Sequence, residues 1–349
     1  MIHLLQILNP YHLYKRITPF GRWVMLYSFF VLCILFIILL NWVPIKAHIN
    51  LLYAPSRGVY AEYNFYGGIY SGDQLLSSVF AIDADHADSD LVYTDLDYST
   101  YLFCLEFISI EEMRLTEHYF KRLSAQSNLR QVILCNCDFD SKWLTHLSKC
   151  RKLAVVELKF NGSPLQWNVI KSLEKNNNIE MITLENVGIT DEDVAVLNRL
   201  TDLYFLDLRS CVFQTDKTAE SFYEFIEKRA GNLRRVDLTN IPDIELHIQA
   251  IIDKPKLHTI SITSNNITDE LIGKIKMPIG HRKQIKITSN SISDEGLMQI
   301  QLEPKIILDL VDTTITEEGI KNFSKANPFV TSEFLNEGNG SFVKLYRNR

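Results

Sequence analysis

One phrase returns along this chain at nearly fixed intervals. It reads Leu184-Glu-Asn-Val-Gly-Ile-Thr-Asp-Glu192, then Ile262-Thr-Ser-Asn-Asn-Ile-Thr-Asp-Glu270, Ile287-Thr-Ser-Asn-Ser-Ile-Ser-Asp-Glu295 and Leu310-Val-Asp-Thr-Thr-Ile-Thr-Glu-Glu318. Upstream of each lies a short alternating apolar segment. The same first, fourth and sixth positions recur as Leu129/Val132/Leu134, Leu153/Val156/Leu158, Ile179/Ile182/Leu184, Leu203/Leu206/Leu208, Leu233/Val236/Leu238 and Leu257/Ile260/Ile262, with Leu102/Leu105/Phe107 as an earlier copy. The last of these positions falls at 134, 158, 184, 208, 238, 262, 287 and 310, at spacings of 24, 26, 24, 30, 24, 25 and 23. Units this short cannot bury an apolar face alone, so they must stack into one continuous core.

The frame L-x-x-L-x-L-x-x-N/C-x-L resembles the leucine-rich repeat family over about residues 102–328. The period near 24–25 and the phrase Ile-Thr-Asp-Glu are similar to the bacterial and cysteine-containing classes. The resemblance implies an α/β solenoid, with parallel strands on a concave face and helices on the convex face. It places Cys137, Asn161, Val187, Cys211, Ile241, Asn265, Asn290 and Thr313 at the Asn/Cys position after each strand. Ile189, Ile267, Ile292 and Ile315 then plug the turn, and Thr190, Thr268, Ser293 and Thr316 are suited to cap the next helix. Val194/Leu197, Ile272/Ile275, Leu297/Ile300 and Ile320/Phe323 lie one turn apart, facing the core. Arg282 and Lys305 stand at the first leucine position of the last two copies, where the core is expected to open. The copy around Ile241-Pro242-Asp243 is degenerate, and the long one carries about six extra residues, expected within Gln214–Ser221.

No charge interrupts Trp23 to Ile45, a run of 23 residues bounded by Arg22 and Lys46. As a helix it spans about 34 Å, enough for a bilayer core, with Trp23 and Trp42 at headgroup depth. A cleaved signal peptide would have a shorter core and small residues after it; Asn41-Trp42-Val43-Pro44 does not fit. Lys15, Arg16 and Arg22 before the run, against Lys46 and Arg57 after it, predict a cytoplasmic N-terminus and a non-cytoplasmic solenoid. The expected layout is a leader (1–21), a transmembrane helix (22–45), a linker and N-terminal cap (46–100), a solenoid of eight or nine repeats (101–328) and a tail or cap (329–349). Tyr53, Tyr60, Tyr63, Phe65, Tyr66 and Tyr70 are read as core of that first cap, covering the solenoid end.

Nothing in the sequence carries catalysis. The P-loop, H-E-x-x-H, G-x-S-x-G and C-x-x-C motifs are absent, and no enzyme activity or cofactor is expected. A net charge of −6, from 36 basic and 42 acidic residues, offers no global pull on nucleic acid. Asp83, Asp85, Asp88 and Asp90 alternate as calcium ligands do. An EF-hand counted from Asp83 would need Gly and Glu where Asp88 and Thr94 stand, so the stretch is read as a solvated acidic loop. Cys135 and Cys137 at a strand end are read as structural, and His146 likewise. Five cysteines beyond the apolar run leave one over after any pairing. They are expected to be buried and free, which pulls against an oxidising compartment.

The outward strand positions define the face on which partners of such solenoids commonly dock. The middle row reads Glu106, Ile133, Glu157, Thr183, Asp207, Asp237, Ser261, Lys286 and Asp309. The row after it begins Ile108, Cys135, Lys159, Glu185, Arg209. The row before it begins Cys104, Gln131, Val155, Met181, Phe205, Arg235. Val155, Met181 and Phe205 make an expected apolar strip, flanked by Glu157, Asp207, Arg209, Arg235 and Asp237. This is the expected partner-binding site. Asp207 with Arg235 and Asp237 with Arg209 are expected cross-strand pairs, and Glu157 with Lys159 a pair along one strand. The function expected is a membrane-anchored, non-catalytic protein-binding scaffold with an unidentified protein partner. The alternatives are a cytoplasmic adaptor resembling the substrate receptors of ubiquitin ligases, or an organelle or envelope membrane assembly factor.

Overall fold

The structure, a computed structural model, describes residues 27, 28, 30, 31, 59–63, 79–84, 105–160, 165–229, 231–337 and 340–347. Thirteen strands form one sheet: β1 Val59–Tyr63, β2 Val79–Ala84, β3 Phe107–Glu111, β4 Gln131–Cys135, β5 Val155–Lys159, β6 Met181–Glu185, β7 Phe205–Arg209, β8 Arg235–Thr239, β9 Thr259–Thr263, β10 Lys283–Thr288, β11 Ile306–Thr313, β12 Val330–Glu337 and β13 Gly340–Arg347. From β2 to β11 each strand pairs in parallel with the next in sequence. At the two ends the sheet turns antiparallel, through β1 on β2 and through the hairpin β12–β13 on β11. Parallel neighbours need a crossover, and between β3 and β11 each repeat supplies a helical one on the same side of the sheet.

Alternation fixes which way each strand faces. In β4 and β5 the burial runs half-buried, buried, half-buried, buried, half-buried, so Val132, Leu134, Val156 and Leu158 enter the core. The Ile189, Ile267, Ile292 and Ile315 plugs and all four expected helix pairs are buried. Two residues past the last core position, Asn136, Asn186 and Asn240 take left-handed backbone (φ 51 to 56°). Asn tolerates that conformation because its short amide is easily accommodated there. Each donates its N–H to the next strand (Asn136 to Lys159 O at 2.7 Å, Asn186 to Arg209 O at 2.9 Å), carrying the ladder into the turn.

The position after that turn is occupied as expected by Cys137, Val187, Cys211, Ile241 and Thr313, all buried. Burial pushes the thiols of Cys137, Cys150 and Cys211 up to about 12. Cys137 donates to Ile110 O (3.4 Å) and Cys211 to Leu184 O (3.6 Å), bridging adjacent repeats. Asn265 and Asn290 do not occupy this place: both are exposed, and Ser264 and Ser289 are buried instead. A serine one residue earlier closes the turn without left-handed backbone, the Ser289 hydroxyl donating to Ile267 O at 2.8 Å. Asn161 lies outside the described residues.

The helices are α1 Glu117–Leu123, α2 Asp191–Leu197, α3 Asp216–Glu224, α4 Ile244–Ile252, α5 Asp269–Lys274, α6 Asp294–Gln299 and α7 Glu317–Ala326; 3-10 turns (Ser141–Lys149, Lys171–Leu173) serve two repeats. Thr190, Ser293 and Thr316 cap α2, α6 and α7 through their side chains, whereas Thr268 at the start of α5 makes no such bond. Asp269 accepts from the N–H and hydroxyl of Ser293 in the next repeat (2.7 and 2.5 Å), and Asp294 does the same for Thr316 (2.7 and 2.7 Å). The recurring Thr-Asp-Glu phrase is thus a clasp between repeats.

Four expectations need correction. The first described repeat is framed by Leu105, Ile108 and Ile110, all buried, and not by 102/105/107; Phe107 and Ser109 face outward and Ile108 inward. Both frames place apolar residues correctly, but only the second keeps the 24-residue spacing to Leu134. The long repeat gains one residue before its cap at Thr215, the rest forming a π-helical turn, Phe225–Arg229, after α3, mostly outside 214–221. Arg282 and Lys305 are exposed, yet the core does not open: Lys283 is 1% exposed, with its ammonium on the carbonyls of Lys254 and Leu257 (2.7 Å to the latter). Asp83 belongs to β2, paired with Ser109, and not to a loop. Asp85, Asp88 and Asp90 lie outside the described residues, as does the apolar run 23–45 apart from Tyr27, Ser28, Phe30 and Val31. Among the described residues no helix is long and apolar enough to cross a membrane.

Candidate protein-binding face

Strand register brings all eight expected residues together. Val155, Met181, Phe205 and Arg235 are successive partners across β5 to β8; so are Glu157, Thr183, Asp207 and Asp237 one step along. Adjacent strands lie about 4.8 Å apart, so each row is a continuous strip. With the first repeat reframed, these rows begin at Phe107 and Ser109, and Glu106 leaves the middle row.

The polar groups pair along strands more than across them. Arg209 grips Asp207 with two bonds, Nε to Oδ1 at 3.0 Å and an Nη to Oδ2 at 2.7 Å. Arg235 approaches Asp237 to only 3.9 Å, and Lys159 holds Glu157 at 2.5 Å. The expected cross-strand pairs Asp207–Arg235 and Asp237–Arg209 are therefore replaced by Asp207–Arg209 and a loose Asp237–Arg235. Residues two apart on a strand point the same way, and a bidentate guanidinium fits that spacing. Burial raises the Asp207 carboxyl above its ordinary value; the Arg209 donors oppose this. The Asp207 side chain is 3% exposed and that of Arg209 43%, so the arginine is what a partner meets.

Phe205 is likewise covered. The Arg235 guanidinium lies 4.5 Å above its ring centroid, a cation–π contact, and leaves Phe205 9% exposed. The accessible surface is thus Val155 and Met181, half-buried, beside the planar guanidinium groups of Arg209 and Arg235 and the carboxylates of Glu157 and Asp237.

A second polar centre escaped the sequence reading. Asp309 stands in the middle row between Lys286 on β10 and Lys344 on β13. Its Oδ2 accepts from Gln284 (2.9 Å), and its buried Oδ1 has no partner. Lys344 is supplied by a hairpin that the repeat period does not announce. Among the described residues, no group of three or more His, Cys, Asp or Glu is placed to hold a metal ion.

No protein-family model matches the chain, and no curated protein matches it. Among solved structures it is similar to an internalin of Listeria monocytogenes, at 15% identity and a TM-score of 0.35 over 67% of this chain and 78% of that one. The leucine-rich-repeat architecture rests on the parallel register, the alternating strands and helices, and the stacked core of this chain itself.

Proposed function

We propose that this solenoid is a non-catalytic protein-binding module whose partner sits on the sheet face across β5 to β8. The observation that carries this reading is the covering of Phe205 by Arg235 beside the Asp207–Arg209 pair. One guanidinium is held over the Phe205 ring and the other is bonded to buried Asp207, next to half-buried Val155 and Met181. Arginine fixed in this way loses little freedom on contact and is favoured at interface centres. The test is photo-cross-linking from a reactive residue at Met181 in cells. The same adduct should vanish in an Arg235→Glu chain, and a reactive residue at exposed Glu220 on α3 should not produce it. An adduct that survives Arg235→Glu would remove this face from consideration.

The apolar run 23–45 is proposed as a single-pass anchor holding the module at a bilayer, with the basic residues Lys15, Arg16 and Arg22 on the cytoplasmic side. An added C-terminal cysteine, treated in intact cells with an impermeant thiol reagent, should label before lysis. Labelling only after lysis would reverse the orientation and favour a cytoplasmic adaptor.

A further inference from the structure

We infer that the rim formed by the helix-to-strand loops of the C-terminal repeats docks on an anionic lipid bilayer. These loops precede β8, β9, β10 and β11, which are consecutive and parallel, so they line up along one edge of the sheet. They carry Arg234, Lys256, Lys276, Arg282 and Lys305, and Arg347 at the end of β13 reaches the same edge; all six are exposed. Among the described residues none of the six makes an ion pair; at the corresponding edge of earlier repeats Lys121, Arg130 and Arg199 pair with Glu117, Glu106 and Glu174, whereas Lys149, Arg151 and Lys152 do not. The opposite edge is acidic, with Asp191, Glu192, Asp269, Glu270, Asp294 and Glu295 in the first turns of α2, α5 and α6. In the C-terminal repeats the basic edge also carries Asp253 and Glu303, but the cations outnumber them, a local excess that the net charge of −6 conceals.

Compensation of helix ends does not account for the basic edge. That effect falls off within the last turn, and α4 and α6 have no basic residue there. Lys256, Arg282 and Lys305 stand four or more residues beyond α4, α5 and α6, which end at Ile252, Lys274 and Gln299.

Two large apolar side chains project from this same edge. Ile279 follows Pro278 at a loop tip turned by Gly280 (φ 84°) and is 78% exposed; Phe329 follows Pro328 before β12 and is 68% exposed. β12 runs parallel to β11 through the intervening antiparallel β13, so Phe329 lies at the same edge as Lys305. Cations around protruding apolar tips match the headgroup and acyl boundary of a charged bilayer. A nucleic acid would satisfy the cations and leave an aliphatic tip such as Ile279 without a partner. This surface reading stands without the membrane anchor proposed above.

The full chain is reconstituted with vesicles of phosphatidylcholine alone, and of phosphatidylcholine containing about one part in three phosphatidylglycerol. An environment-sensitive dye is attached at Ile279→Cys or, on the opposite edge, at Glu192→Cys, and lipid-borne quenchers report burial. Labelling of the unsubstituted chain is subtracted. The expected result is quenching at 279, only in the anionic vesicles, weakening with salt, and none at 192. Each cation is worth about fivefold in partitioning, so Arg234→Gln with Arg282→Gln and Lys305→Gln should lower it on the order of a hundredfold. Ile279→Ser with Phe329→Ser, which leaves the charge intact, should weaken partitioning in a chain dye-labelled at Lys305→Cys. An unquenched 279 in anionic vesicles, or equal quenching at 279 and 192, overturns the inference. So does release of 279 by poly(U) at matched phosphate, which would assign the edge to nucleic acid. Flotation separates this inference from the anchor: a chain floating only with anionic vesicles keeps the rim and loses the anchor, and one floating with neither loses both.

Discussion

The carboxylate of Asp294 sits directly over Gly319 of the following repeat while it accepts from the N–H and hydroxyl of Thr316 (both 2.7 Å). A Cβ at position 319 would collide with all three carboxyl atoms of Asp294. Glycine inside a helix normally costs about 0.5–1 kcal/mol relative to alanine. Here the sign should invert. Gly319→Ala is expected to destabilise by about 1 kcal/mol, because it displaces a clasp of two charge-assisted bonds. In an Asp294→Ala background the same change should be neutral or stabilising. Chemical denaturation of the four chains of that cycle checks it; additive effects would show that the clasp holds nothing.

Two threonines in the same repeat position should differ. Thr190 completes a reciprocal capping box with Asp193, whose carboxylate accepts from the Thr190 N–H at 2.9 Å and the Lys171 N–H at 2.6 Å. Thr268 makes no capping bond. Thr190→Ala should cost about 1–2 kcal/mol and Thr268→Ala only a few tenths. Equal losses in thermal unfolding would mean that the hydroxyl is not what matters at Thr190.

Much of this architecture could be read from residue types alone, because a solenoid repeats its physics. The period, the buried Leu and Ile ladder, the isoleucine plugs and three of the four caps follow from spacing and side-chain chemistry. What could not be read is where two patterns agree locally. Leu102/Leu105/Phe107 and Leu105/Ile108/Ile110 both satisfy the strand frame, and only the distance to Leu134 separates them. Ser264 and Asn265 are both small polar residues after a strand; backbone conformation, invisible in the sequence, decides which is buried. On the candidate face the four strands and their order were legible. The pairing was not, because Asp207 has an arginine within reach both along its strand and across from it. Nor does the sequence show that Arg235 spends itself on the Phe205 ring.

That pairing changes which substitutions test the face. Asp207 is buried and Arg209 is its charge partner, so Arg209→Ala strands a carboxylate. The loss should be about 2 kcal/mol, below the 3–5 kcal/mol of fully buried pairs because Arg209 is partly solvated. Adding Asp207→Asn should recover most of it. Phe205→Ala would remove the ring that Arg235 covers on the sheet face, and would confuse lost packing with lost binding. Arg235 and Met181 are the cleaner probes. If Arg209→Ala unfolds at the same denaturant concentration as the parent, the Asp207 charge is met by some other group.

Lys283 offers a pH test of the C-terminal core. Burial pushes its ammonium down to about 8 from an ordinary 10.5, and Asp253 only partly opposes this. A depressed folded value means that, between about 8 and 10.5, the unfolded chain holds a proton that the folded one has released. Stability from this group is therefore complete above 10.5 and is lost as pH falls through 8. One pKa unit is worth about 1.4 kcal/mol, so the window carries at most about 3 kcal/mol. Lys283→Met keeps the buried stem and removes the titration. Its unfolding free energy, subtracted from that of the parent, should leave a difference that rises in the parent's favour from pH 8 to 10.5 and is flat from 6 to 7.5. A flat difference across the whole range would mean that the burial of the ammonium is fully offset, by the carbonyls of Lys254 and Leu257 or by water.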